Sequence, residues 1–182
     1  IKFFPFRNMK KLVQIILSFI AILASDQVQA QVRYSLKAET GYLNYRNNTI
    51  QVDPGPDWKG YYLNGENGID ISVVNGIDIK NRFFAGLGLG YVNFEGINGL
   101  LLFANLEFIP LKTGLSPVVD MKFGYSHIRN QYANGTGTGF GELCGGLNYR
   151  LSDSFNIFAE SGISLTQQSW FIPFRLGIRL SM

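Results

Sequence analysis

The sequence predicts an all-β fold in which eight antiparallel strands, joined up and down, close into a barrel. Three observations carry that prediction. Eight stretches alternate large apolar residues with Gly, Ser or charged residues, the period of a strand with two unlike faces. Aromatic residues recur towards the ends of those stretches: Tyr34, Tyr42, Phe83, Tyr91, Tyr125, Tyr149 and Trp170. The last stretch places Phe174, Leu176, Ile178, Leu180 and Met182 on one face and Arg175, Gly177, Arg179 and Ser181 on the other. A strand in that position is free to pair with the first and close the sheet.

The N-terminal residues are set aside before the fold is read. Met9-Lys10-Lys11 followed by the 13-residue apolar run Leu12 to Ala24 has the basic n-region and h-region of a secretory signal. Val28-Gln29-Ala30 supplies the small residues of a cleavage site, so processing is expected after Ala30. The run is shorter than the roughly 20 residues that a membrane-crossing helix needs. The expected organisation is an upstream extension over 1–8, a signal peptide over 9–30 and one barrel domain over 31–182. The formal charge of +3 belongs to residues 1–30, and the remaining 152 residues balance twelve basic against twelve acidic side chains. The basic pI therefore gives no reason to expect a nucleic-acid partner. Cys144 is the only cysteine, which rules out an internal disulfide and any zinc site built from several cysteines.

Strand one is expected from about Val32 to Tyr45, with Tyr34, Leu36, Ala38, Thr40 and Tyr42 opposite Arg33, Ser35, Lys37, Glu39 and Gly41. A polar loop over 46–58 follows, broken by Asp53-Pro54-Gly55-Pro56-Asp57. Strand two, about Gly60 to Val74, carries Leu63, Ile69, Ile71 and Val73 opposite Glu66, Asp70 and Ser72, and Asn75-Gly76 reads as its exit turn. Strand three, Arg82 to Phe94, interleaves Ala85, Leu87, Leu89 and Tyr91 with Gly86, Gly88 and Gly90. A glycine row on the inner face of a narrow barrel makes room for large side chains from neighbouring strands.

Strand four, Leu100 to Ile109, sets Leu102, Ala104, Leu106 and Phe108 against Asn105 and Glu107, and Pro110 to Ser116 reads as a turn. Strand five, Val118 to Ile128, sets Val119, Met121, Phe123 and Tyr125 against Asp120, Lys122, Gly124 and Ser126, with a loop over 129–138. Strand six, Gly139 to Leu151, has Leu143, Gly145, Leu147 and Tyr149 opposite Glu142, Cys144, Asn148 and Arg150. Ser152-Asp153-Ser154 turns the chain into strand seven, Phe155 to Leu165, and strand eight starts near Trp170. Connections 1 and 5 are long, and 2, 4 and 6 are shorter turns; longer loops on one rim are the habit of membrane barrels.

Alternation alone does not say which face is outside. A secreted lipocalin-like carrier of small ligands would turn the apolar face inward; a transmembrane β-barrel turns it to lipid. The inner-face reading of the charges favours the second, because acids and bases share that face as Lys37/Glu39, Asp120/Lys122 and Glu142/Arg150, with Arg175 and Arg179 available to Glu66, Glu107 or Glu160. Enclosed charges need partners, and this set supplies them. Glu107, Lys122, Glu142, Arg150, Arg175 and Arg179 are expected to form a structural network in the interior. Leu87, Leu89, Leu106, Phe123, Ile178 and Leu180 are expected to face lipid.

The Phe83-Phe84-Ala85-Gly86-Leu87-Gly88-Leu89-Gly90-Tyr91 strand and the terminal Phe174-Arg175-Leu176-Gly177-Ile178-Arg179-Leu180 strand resemble those of the small eight-stranded outer-membrane β-barrel proteins of Gram-negative bacteria. The resemblance spans 31–182. It implies an integral place in the outer membrane after export, contact with outer-membrane lipid and lipopolysaccharide, and insertion by the barrel-assembly machinery. Members of that family commonly end on an aromatic residue, where this chain has Met182 or Leu180.

The sequence offers little chemistry. His127 is the only histidine, so a multi-histidine metal site is excluded. Some outer-membrane barrels that deacylate lipid A use Ser, His and Glu, and Ser126, His127 and Glu142 supply those residue types. Adjacent strand residues point to opposite faces, however, which separates Ser126 from His127. No catalytic, cofactor-binding or metal-binding residue is expected. The expected role is non-enzymatic, structural or surface-interacting, with an extracellular ligand to be met through loops 46–58 and 129–138.

Overall fold

The computed structural model describes residues 32–48, 56, 65–94, 96–129, 134–167 and 169–182. They form eight strands: β1 Val32–Asn48, β2 Gly68–Ile79, β3 Phe83–Phe94, β4 Ile97–Phe108, β5 Leu115–Ile128, β6 Thr136–Arg150, β7 Phe155–Thr166 and β8 Ser169–Ser181. Each pairs antiparallel with its neighbour in sequence, and β8 pairs with β1 to close the barrel.

The registers fix the stagger. A walk along paired residues from Tyr149 through Ile157, Ile178, Ala38 and Val73, then Leu89, Leu102 and Tyr125, returns to β6 at Gly139, ten residues from its start. Eight strands with such a shear tilt by about 35–45° and enclose an interior just wide enough for side chains.

Several boundaries differ from those expected. Asn75 and Gly76 do not form a turn but pair with Leu36 and Ser35 inside β2. The reversal comes later, over the three-residue connection 80–82, where φ of 57° and 54° at Lys80 and Asn81 and an Arg82 N–H bond to the Ile79 carbonyl (3.1 Å) close a β-turn. Positive φ at both central residues matches the twist of the flanking strands, and asparagine tolerates it better than most residues. The expected loop over 93–99 shrinks to residues 95–96, with β4 beginning at Ile97. β5 begins at Leu115, inside the expected Pro110–Ser116 turn, and β6 begins at Thr136, inside the loop expected over 129–138. The early part of the strand expected from Gly60, and most of loop 46–58, lie outside the described residues.

The apolar face is outside. Leu87 and Leu89 are 70 % and 68 % exposed, and Leu106, Phe123, Ile178 and Leu180 lie on the same outer surface. Lys37, Lys122, Arg175 and Arg179 are buried in the bore. A water-soluble ligand carrier needs the reverse, so the lipocalin-like alternative does not describe this barrel. Aromatic rings mark both ends of the outer band: Phe83 stacks on Phe108 (4.7 Å between centroids) towards the short-turn end, and Tyr91 and Tyr125 lie towards the other. Amphipathic rings at two heights are the girdles of a membrane barrel.

Candidate functional site

The bore is built of inward residues taken every second position, and their order along the strands stacks them in layers. On β1, Lys37 and Glu39 precede Gly41 and Leu43; on β8, running the other way, Phe171 precedes Arg175 and Arg179. Taken together the strands place charges in the middle of the bore, and β1, β3, β4, β5 and β8 place apolar residues at the end from which connections 49–67, 95–96, 129–135 and 167–168 leave.

Lys37 Nζ donates to Asp120 and lies 3.3 Å from Glu39 Oε2 and 3.1 Å from Glu107 Oε2. Lys122 bridges Glu39 and Glu142, the latter at 3.1 Å. Arg175 donates through Nε and Nη2 to the two oxygens of Glu142 (2.5 and 2.6 Å) and through Nη1 to Asp70 (2.5 Å). Such a two-point guanidinium–carboxylate pair fixes orientation as well as charge. Arg179 donates to Glu107 at 2.6 Å, and Asn105 donates to Asp120.

Small residues and rings complete the packing. A Cβ on Gly88 would stand 2.5 Å from the Phe103 ring and one on Gly177 2.2 Å from Phe158, so these glycines are holes for aromatic knobs. Gly88 thus does what the glycine row of β3 suggested. Lys37 lies 4.4 Å from the centroid of Phe158, and the Arg179 guanidinium 5.5 Å from that of Phe84. Aromatic faces towards the turn end thereby receive cations that the carboxylates also hold.

Towards the loop end the bore is closed by Leu43, Val92, Phe94, Ile97, Ile128 and Phe171, with Tyr45 packed against them. Phe94 and Phe171 have centroids 5.1 Å apart, and Tyr45 meets Phe171 edge-on at 5.9 Å. At the turn end a pocket of about 10 Å³ among Asp78, Arg150, Asn156 and Arg179 holds one water at most.

Glu107, Lys122, Glu142, Arg175 and Arg179 therefore meet within one network. Arg150 does not join it: it is half-buried at the turn rim, one layer below Asn148, and makes no ion pair among the described residues. Lys37, Glu39, Asp70 and Asp120 are as central as the residues singled out from the sequence. Their place on the polar face of β1, β2 and β5 was the signal, but nothing local said that β1 and β5, on different sides of the sheet, meet through their side chains.

Ser126 is buried in the bore, whereas His127 lies on the outer face and Glu142 is held by Arg175 and Lys122. The three groups of a Ser/His/Glu hydrolase are not brought together.

No family model and no curated protein matches the chain. Solved structures do. Neisserial surface protein A matches with a TM-score of 0.60 at 8% identity, covering 85% of this chain and 100% of that one. The N-terminal β-barrel domain of Pseudomonas aeruginosa OprF matches with a TM-score of 0.53 at 15% identity, covering 82% and 100%. At such identities the likeness is one of architecture, and it agrees with the closed eight-stranded topology. The chain has the fold of the small eight-stranded outer-membrane β-barrels.

Proposed function

We propose that the protein is an integral outer-membrane barrel with a non-enzymatic role, anchoring surface loops in the membrane rather than passing solutes through it. The observation that carries this reading is the double closure of the bore: salt-bridged side chains fill its middle and the Phe94–Phe171 cluster fills its loop end. The outward Leu87 and Leu89 support burial in lipid, as each would otherwise hold a large apolar surface in water. Outer-membrane lipid and lipopolysaccharide are the partners such a surface suits, the barrel-assembly machinery is the expected route of insertion, and the loops leaving β1 and β5 are where an extracellular ligand would be met.

Two experiments test this. Fractionation should leave the protein in the outer membrane until detergent is added, with unheated and heated samples migrating differently on a denaturing gel; a folded, monomeric protein in plain buffer would refute the membrane assignment. Reconstituted into planar bilayers, the barrel should show no stable conductance, and His127→Ala should leave lipid A acylation in cells unchanged. A steady open channel would overturn the sealed bore, and altered acylation would restore an enzymatic role.

A further inference from the structure

Each cation of the ionic layer is already engaged. Lys37 donates to Asp120 and lies 3.1 Å from Glu107 and 3.3 Å from Glu39. Lys122 joins Glu39 to Glu142, Arg175 joins Glu142 to Asp70, and Arg179 meets Glu107. One acid is left over. Glu160 on β7 is 4% exposed, neither of its carboxyl oxygens has a hydrogen-bond partner, and it makes no ion pair among the described residues. The unused Nε and Nη2 donors of Arg179 belong to a lower layer, since Arg179 pairs across the ladder with Asn156 and lines the turn-end pocket with Asp78.

The surroundings of Glu160 are acidic as well as enclosed. Glu160, Glu39 and Asp120 each bring an oxygen within 4.8 Å of the other two. Glu107 of β4 adds negative charge, the thiol of Cys144 on β6 adds no positive charge, and Arg175, the ladder partner of Glu160 on β8, is turned to Glu142 and Asp70. An ionised Glu160 would have neither cation nor donor there. A neutral acid has a use for one of its neighbours. Asp120 accepts from Lys37 and Asn105, and Glu39 Oε1 accepts from Ser72 and Lys122, whereas Glu39 Oε2 accepts no hydrogen bond.

We infer that the bore contains a proton-binding site, in which Glu160 is a neutral carboxylic acid whose O–H donates to Glu39 Oε2. Two close carboxyl groups that share a proton escape the repulsion of two like charges, and an O–H donor to a carboxylate makes one of the stronger hydrogen bonds. A turn of the Glu160 side chain within the cluster brings the two oxygens into reach. The proton is taken from water as the chain folds; afterwards the apolar cluster seals the loop end and the turn end narrows to a pocket of about 10 Å³. It makes the leftover acid a donor and completes a network that the cations alone leave open. The inference rests on the side chains of the bore and is independent of what the loops do.

The test is infrared spectroscopy of the protein folded in detergent at neutral pH, unlabelled and with heavy carbon in its glutamate carboxyl groups. The wild type is expected to show the carbonyl stretch of a protonated carboxylic acid, moving to lower frequency with the label and missing from Glu160→Gln. The label assigns the band to a glutamate even if the variant does not fold. In parallel, urea midpoints are compared for the wild type, Glu160→Gln and Glu142→Gln. Glu160→Gln, an amide shaped like the neutral acid, is expected to keep the wild-type midpoint, and Glu142→Gln, which weakens the Arg175 pair, to fall below it. A folded wild type with no label-sensitive acid band, or a midpoint lowered as far in Glu160→Gln as in Glu142→Gln, overturns the inference.

Discussion

The middle of the bore and its loop-side end are parts of one interior, made by the same strands four residues apart on β1 (Glu39 and Leu43) and β8 (Phe171 and Arg175), yet they are stabilised in opposite ways. The middle is held by directed pairs such as Arg175 with Glu142 and Lys122 with Glu39. The end is held by the undirected contact of Leu43, Phe94, Ile97 and Phe171. In the ionic layer Lys37, Lys122, Arg175 and Arg179 are each held by carboxylates of other strands, so the loss of one cation strands a charge. In the apolar cluster each side chain is replaceable by another of similar volume. The contrast teaches that a barrel inverted towards lipid does not need a wholly polar interior: its ionic groups gather in one layer where cations and carboxylates meet, and ordinary core packing fills space at the loop end.

Arg175→Met should break the comparison hardest, because it leaves Glu142 and Asp70 without their guanidinium in a buried layer; a loss of about 3–5 kcal/mol is expected, read from urea unfolding in detergent or lipid. A loss under about 1 kcal/mol would mean that the layer is wetter than its burial indicates. Leu89→Arg puts a charge on the outer surface and should cost roughly 2–4 kcal/mol in a bilayer if the residue sits near the midplane. Measured in lipid, this variant separates the outer face from both inner layers. Ile97→Val removes one methylene from the apolar cluster and should cost only about 0.5–1.5 kcal/mol by the same measurement. A cost there equal to that of Arg175→Met would erase the distinction between the two layers.

Much of the fold was legible because a strand's period of two writes its faces directly into the chain. Leu87, Leu89 and Tyr91 against Gly86, Gly88 and Gly90 show the outer and inner faces of β3 without any tertiary information. The hairpin at Lys80-Asn81 was not legible, since it uses no glycine while Asn75-Gly76, a stronger local turn signal, is overridden by pairing on both sides with β1 and β3. Arg150 illustrates a different limit: alternation put it on the inner face correctly, but whether an inner residue lies in the ionic layer or at the rim depends on its height. The apolar cluster was missed for a related reason. Leu43, Val92 and Phe171 occupy the nominally polar face of their strands, and each reads as an exception until the three are seen to meet.

By itself the sequence determined that eight two-faced strands form and which side chains share a face, because side-chain direction in a strand is a local property of the backbone. It also carried the argument that the ionic face lies inside, since charges of both signs on one face are stable there only if they meet. Only the tertiary structure decided which of them do. The ten-residue stagger of the closed sheet sets every residue's height, bringing Lys37 to Asp120 and Lys122 to Glu39 across 83 positions of chain and leaving Glu160 with neither hydrogen bond nor ion pair among the described residues. Stagger is a property of the whole ring of pairings, and no single strand contains it.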